Sequence, residues 1–332
     1  VLESGNEIGE GLWVMSRDMP GRKVWRMLLC GERERIKDAA HQLTHSEMRD
    51  QVVLQLLRLR RGEIQREWRI AGWVVRRIPY SERERRSALT ALAVLWGSTG
   101  RALGIALDPH VSHSRRGLAH DTLRRKRDQR AVRPLMEALL SRNTPEPWRC
   151  ISTLGSLGDR TAGDALIGYM GFDSGLRDRH DYKVLPINDD ELLDQGIEVG
   201  RALRRLDAQS AWRQVHPALN GDYSPKLRAA AALIAAGWGD PAHALSVQEM
   251  LGASEKFVKL AAITALGELR PESVMLLVPP FVSDPDPEIS AAAEGAIQRA
   301  AARPRRLADK PRMYAGLPRL YNSDRASKAV SR

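Results

Sequence analysis

The chain has 332 residues, 43% of them apolar, only 5% aromatic, and a formal net charge of +11. That length suffices for two ordinary domains or one elongated array. No apolar run reaches the roughly 18–20 residues a membrane-spanning helix needs. The two cysteines, Cys30 and Cys150, are too far apart and too few for a disulfide framework or a cysteine metal site. Charge is unevenly distributed. Residues 1–130 carry 26 Lys and Arg against 16 Asp and Glu, residues 131–302 carry 17 against 23, and residues 303–332 carry 9 against 2. A mildly acidic body between basic ends points to a polyanion or an acidic partner at those ends.

Residues 1–32 read as an irregular basic segment. Gly5, Gly9, Gly11, Pro20 and Gly21 interrupt any helix, and Trp13 and Trp25 lie among Arg17, Arg22, Lys23 and Arg26. Such a segment is expected to lie along another surface. The chain opens at Val1 with no methionine, consistent with a removed upstream segment. An organellar (mitochondrial) location in a reducing environment is the expectation, with the cytoplasm as alternative.

From residue 33 the pattern is helical. Helix pairs are expected near 33–62, 63–97, 98–128, 129–159, 160–207, 208–240, 241–271 and 272–302. Val132, Leu135, Met136 and Leu139 recur at the spacing of one helix face, as do Val258, Ala261, Ala262, Ala265 and Leu266. Pro147, Pro241 and Pro287 fall at helix starts, and Asp159, Asp240 and Asp286 are placed to cap the helices that follow. The ends of the apolar runs, Gly97, Asp128, Asp159, Asp207, Asp240 and Pro271, are separated by 31, 31, 48, 33 and 31 residues. A fixed period in this range marks a solenoid of stacked helix pairs. The long step contains an acidic insertion at about 171–190, and Asp189-Asp190-Glu191 sits where the next helix should begin.

The segment from Asp128 through Pro134-Leu135-Met136-Glu137-Ala138-Leu139, followed by Trp148-Arg149 and Leu154-Gly155-Ser156-Leu157-Gly158-Asp159, resembles HEAT-like repeats. The likeness is to the short subtype first described in phycobilisome lyases. Leu227-Arg228 with Gly237-Trp238-Gly239-Asp240 repeats the pattern, as does Phe257-Val258-Lys259 with Ala265-Leu266-Gly267. The resemblance covers 98–302 and is weak over 33–97. It implies an all-α, right-handed solenoid of about seven to eight helix pairs with a concave face that binds a partner. The partner is left open, because such repeats serve scaffolds, lyases, repair proteins and assembly factors.

Residues 303–332 form a basic tail in which Pro304, Pro311 and Pro318 exclude a long helix. Its arginines alternate with Tyr314, Leu317, Leu320 and Tyr321, a composition suited to RNA or to threading into an assembly.

Candidate chemistry is sparse. His41 and His45 lie four apart, but Gln42 stands where a zincin needs Glu. No His-Glu pair, nucleophile elbow or phosphate loop occurs. Glu67, Trp68 and Trp73 with Arg69, Arg76 and Arg77 supply the ingredients of a HEAT-scaffold nucleic-acid repair enzyme, but fit a helix with one packed face better. No catalytic residue, cofactor or metal is assigned. His110, His113 and His120 with Arg115 and Arg116 suggest a phosphate-facing patch, extended by the basic run 124–127. The residues expected to meet RNA or an acidic partner are Arg115, Arg116, Arg124, Arg125, Arg127, Arg305, Arg306, Arg312 and Tyr314. Arginine suits this task because its planar fork pairs phosphate or carboxylate through two bonds. The function expected is a non-catalytic structural or adaptor subunit of a large assembly. It would bind protein through the repeat surface and RNA or an acidic partner through the ends, as in an organellar ribosome or other ribonucleoprotein. The alternatives are the repair or modification enzyme, and a protein-only scaffold in a membrane or respiratory complex.

Overall fold

The computed structural model describes residues 22–63, 66–70, 73–172, 189–220, 223–269 and 271–302. The tail, with Arg305, Arg306, Arg312 and Tyr314, lies outside them, as do residues 1–21 and most of the acidic insertion.

The chain opens on α1 (Arg22–Leu29), α2 (Arg33–Thr44) and α3 (Arg49–Arg61). Helix α1 corrects the reading of 1–32 as irregular throughout. Trp25 is 2% exposed and Leu28 fully buried, so this segment packs into the chain's own core. Its apolar residues recur at helical spacing, and burying an indole is worth more than the nearby glycines cost.

A second correction follows. In place of a helix pair over 63–97 there is an antiparallel hairpin, β1 (Arg66–Ile70) and β2 (Trp73–Ile78), and then a single helix, α4 (Glu82–Leu95). Glu67, Trp68 and Trp73 therefore lie on strands, with Trp68 opposite Arg76 and Ile70 opposite Trp73, and not on a packed helix. Aromatic and β-branched residues are strand formers, and Gly72 stands between the two runs. Helix α4 starts at a complete capping box. The Ser81 hydroxyl accepts from the Glu84 amide at 3.3 Å, and the Glu84 carboxylate accepts from the Ser81 amide at 2.8 Å.

Then come α5 (Gly97–Ala106) and α6 (His113–Lys126), followed by α7 (Val132–Leu140) with α8 (Pro147–Leu157) and α9 (Ala162–Tyr169) with α10 (Asp189–Arg205). The remaining pairs are α11 (Gln209–Val215) with α12 (Pro225–Trp238), α13 (Ala244–Glu249) with α14 (Lys256–Leu269), and α15 (Pro271–Leu277) with α16 (Pro287–Ala302). Helix α10 begins at Asp189, where the acidic triplet was expected to start one. The capping aspartates act as expected: Asp159 accepts from the Thr161 amide at 2.9 Å, Asp240 from Ala242 at 3.0 Å and Asp286 from Glu288 at 2.9 Å.

The second helix of each pair stacks on the second helix of the next, giving a ladder α6–α8–α10–α12–α14–α16. Helix α12 is its centre. Residues 229–237 are buried on every side, and seven of these nine are Ala or Gly. A helix apolar all round belongs inside. Its small residues let α10 come so close that a Cβ on Gly200 would lie 2.1 Å from the Ile234 carbonyl oxygen. Above α12 the flanking helices join: the Arg201 guanidinium of α10 donates to Glu268 of α14 at 3.1 Å.

Many front-end arginines are internal. Arg60 is buried, pairs with buried Asp108, and donates to the carbonyls of Arg85 at 2.8 Å and Gly104 at 3.3 Å. Arg58 pairs with Glu137 of α7, tying α3 to the array. These pairs satisfy buried charge. The excess positive charge read from the sequence is thus partly used within the fold.

Candidate partner-binding surface

Helix α6 carries four of the nine residues singled out from the sequence and is capped by a fifth, Arg127, and the structure divides them. Arg115, Arg125 and Arg127 are exposed. Arg127 ends the helix in a left-handed conformation, φ 50°, its amide donating to the Leu123 carbonyl at 3.1 Å. Arg116 turns inward: its guanidinium donates to the Val111 carbonyl and lies 3.3 Å from Glu146. It secures the loop before α6, which corrects its assignment to the partner surface. Arg124 takes an intermediate position. It pairs with Asp121 on its own helix, and its Nη1 reaches the Ser152 hydroxyl of α8 at 3.4 Å.

The three histidines do not form one patch. His110 is exposed, whereas His120 is 1% exposed, its Nδ1 3.0 Å from the Thr153 hydroxyl. Burial pulls the His120 pKa down to about 4, so the ring is neutral near pH 7. His113 sits at the rim, where its Nδ1 meets Glu146 and its Nε2 accepts from Arg149 at 3.0 Å. Glu146 is buried and faces Arg116, Arg149 and His113 together. It is a polar anchor for the α6–α8 seam that the sequence pattern did not single out. A glutamate directly before Pro147 at a helix start was the only signal for it.

Outward from this seam lies a mixed surface. Leu118 of α6 is 63% exposed and Trp148 of α8 is 40% exposed, with the Arg149 guanidinium 4.3 Å from its ring centroid. Arg201, Arg204 and Arg205 of α10 are also exposed. Arg205 donates to the Ser152 hydroxyl at 3.4 Å from the side opposite Arg124. The surface thus offers cations from α6 and α10 around apolar side chains from α6 and α8. Exposed apolar groups rimmed by charge mark interaction surfaces.

The family model for HEAT repeats matches residues 213–298. Residues 213–298 are HEAT repeats. The matched stretch holds α12, α14 and most of α16, and the same stacking of helices runs on through α10, α8 and α6. The match is to HEAT repeats in general and does not extend to the phycobilisome-lyase subtype. No curated protein matches the chain. HEAT repeats suggest a protein-binding scaffold. Among the described residues no helix is long and apolar enough to cross a membrane. His41 and His45 are both exposed at the end of α2.

Proposed function

We propose that this HEAT array is a non-catalytic adaptor subunit that holds an acidic protein segment across α6, α8 and α10. The observation that carries the reading is that exposed Leu118 and Trp148 stand on α6 and α8, consecutive helices of the ladder that, with α10, also carry exposed arginines. An acidic amphipathic segment satisfies such a surface: its apolar side chains cover Leu118 and Trp148 while its carboxylates meet Arg115, Arg125, Arg127 and Arg204. Arg125 and Arg204 have no acid within ion-pair distance among the described residues, so their charge is available to a partner.

The test is a pair of charge reversals, Arg125→Glu and Arg204→Glu, in the full chain, with partner retention measured across a salt series. Loss of retention by either variant with an unchanged melting midpoint supports the reading. Retention of the same partner by the double variant, at the same salt, contradicts it.

A second reading places RNA at the basic ends, as in an organellar ribosome or another ribonucleoprotein. It is favoured by the charge of residues 303–332, where 9 Lys and Arg face 2 acids. Binding that is nuclease-sensitive, falls steeply with salt and disappears on deletion of 303–332 supports it. Nuclease-resistant binding that survives the deletion contradicts it.

A further inference from the structure

Ser152 lies on the solvent-facing stripe of α8, one turn beyond Trp148 and one before Ser156. Two guanidinium groups approach its hydroxyl from the neighbouring helices, Arg124 from α6 and Arg205 from α10, each with Nη1 3.4 Å from Oγ. Arg205 Nη1 also lies 3.5 Å from the Ser152 carbonyl oxygen. Each arginine is oriented by an acid on its own helix. Arg124 Nη2 pairs with Asp121, and Arg205 Nη2 lies 3.8 Å from Glu198 while its Nε donates to the Arg201 carbonyl at 3.3 Å. Both Nη1 groups are therefore fixed in place with only long, weak acceptors. A guanidinium bound to an oxyanion makes contacts of about 2.7–2.9 Å instead. The two donors are underused and converge on one point from opposite sides. Both side chains are more than a third exposed, so the point is open to solvent.

We infer that this point is a phosphate subsite, and that the acidic partner segment of the previous section carries a phosphorylated side chain seated between Arg124 and Arg205. The inference rests on that reading of the α6–α8–α10 surface. Geometry separates phosphate from carboxylate here. A carboxylate is flat, carries one charge and offers two oxygens, so it can bridge two guanidinium groups, as Glu146 does, but has no third oxygen for the serine hydroxyl. A phosphate monoester is tetrahedral, carries between one and two negative charges near pH 7, and presents three terminal oxygens. Two of these can accept from Arg124 and Arg205 on opposite sides. The third can accept from the Ser152 hydroxyl, whose proton is not needed by either arginine. Asp121 and Glu198 hold the arginines and reduce net charge at the subsite. Arg125 and Arg204, next in sequence to the two subsite arginines, offset that reduction with further positive charge.

The experiment titrates the full chain with three acetylated pentapeptides, Asp-Glu-X-Asp-Glu, where X is phosphoserine, serine or glutamate, at low salt by calorimetry. An oligouridylate of twelve nucleotides is titrated in parallel. The phosphoserine peptide is expected to bind at least tenfold more tightly than the other two. Arg124→Gln and Arg205→Gln are each expected to bring the affinity ratio of the phosphoserine to the serine peptide from tenfold to below about twofold while leaving the melting midpoint in place. Ser152→Asp, which fills the subsite with a carboxylate from the protein itself, is expected to remove the gain as well. Equal affinity for the phosphoserine and serine peptides overturns the phosphate subsite and leaves the acidic-segment reading standing. Binding of none of the peptides overturns the phosphate subsite, while the acidic-segment reading stands or falls by the charge reversals of the previous section. Tighter binding of the oligouridylate, lost in the same two arginine variants, overturns the protein-borne phosphate in favour of a nucleic-acid one.

Discussion

The close approach of α10 and α12 gives one substitution opposite consequences at two glycines. A Cβ on Gly200, in the interior of α10, would lie 2.1 Å from the Ile234 carbonyl oxygen, 2.8 Å from Gly237 Cα and 2.8 Å from the Trp238 amide nitrogen. All three are backbone atoms, so no side chain can rotate away, and the helices must part by more than 1 Å to restore ordinary contact near 3.4 Å. Overpacking of this kind costs about 3 kcal/mol. Replacing Gly by Ala inside a helix returns about 1 kcal/mol. Gly200→Ala should therefore destabilise by about 2 kcal/mol. Gly267, in α14, is the counterpart: a Cβ there meets Ala296 at 3.7 and 3.9 Å, which is ordinary contact. Gly267→Ala should stabilise by about 0.5–1 kcal/mol through helix propensity alone. Urea unfolding followed by circular dichroism reads both, and midpoints are the quantity to compare because repeat arrays depart from two-state behaviour. A Gly200→Ala midpoint at or above that of the wild type would refute the claim that α10 and α12 meet backbone to backbone.

His120 makes stability pH-dependent. Its pKa falls from 6.5 to about 4 on folding through burial. Its stabilising contribution is therefore complete above pH 6.5 and is lost as the pH falls through that window, by about 3 kcal/mol in total. Melting midpoints between pH 7 and 4 should decline less steeply in His120→Gln than in the wild type; parallel profiles would contradict the assignment. The arginines of α6 should separate by role. Arg116→Ala leaves buried Glu146 without one of its cations and should lower the unfolding midpoint, whereas Arg125→Ala should leave it within about 0.5 kcal/mol of wild type. Equal midpoints for the two would show that Arg116 is not a structural cation. Asp108→Asn leaves the Arg60 guanidinium buried without its counter-charge and should cost about 3–5 kcal/mol. A midpoint unchanged in chemical denaturation would contradict a closed Arg60–Asp108 pair.

The array was legible because its signals are local. The spacing of Val132, Leu135, Met136 and Leu139, the proline at 147 and the aspartates at 159, 240 and 286 each act within one turn of a helix, where sequence and geometry are directly linked. The hairpin at 66–78 was less legible because Trp68 and Trp73 fit a packed helix face as well as they fit two short paired strands. The site was less legible for a different reason. Whether an arginine faces water or an internal acid depends on residues far along the chain. Arg58 finds Glu137, Arg60 finds Asp108, and Arg116 finds Glu146. A basic count over residues 1–130 cannot separate these from Arg115 and Arg125. The Arg124–Ser152–Arg205 convergence likewise draws on three successive helices of the ladder, and no run of adjacent residues announces it.

Hydrogen–deuterium exchange of the full chain, alone and bound to the partner it retains, tests the central claim most directly. Protection concentrated on α6, α8 and α10, and lost in the Arg125→Glu, Arg204→Glu double variant, is the result expected of an acidic segment held across those helices. Protection confined to α13 and α15, where Leu245, Met275 and Leu276 are exposed, with α6, α8 and α10 unchanged, would place the partner elsewhere on the array and contradict the account.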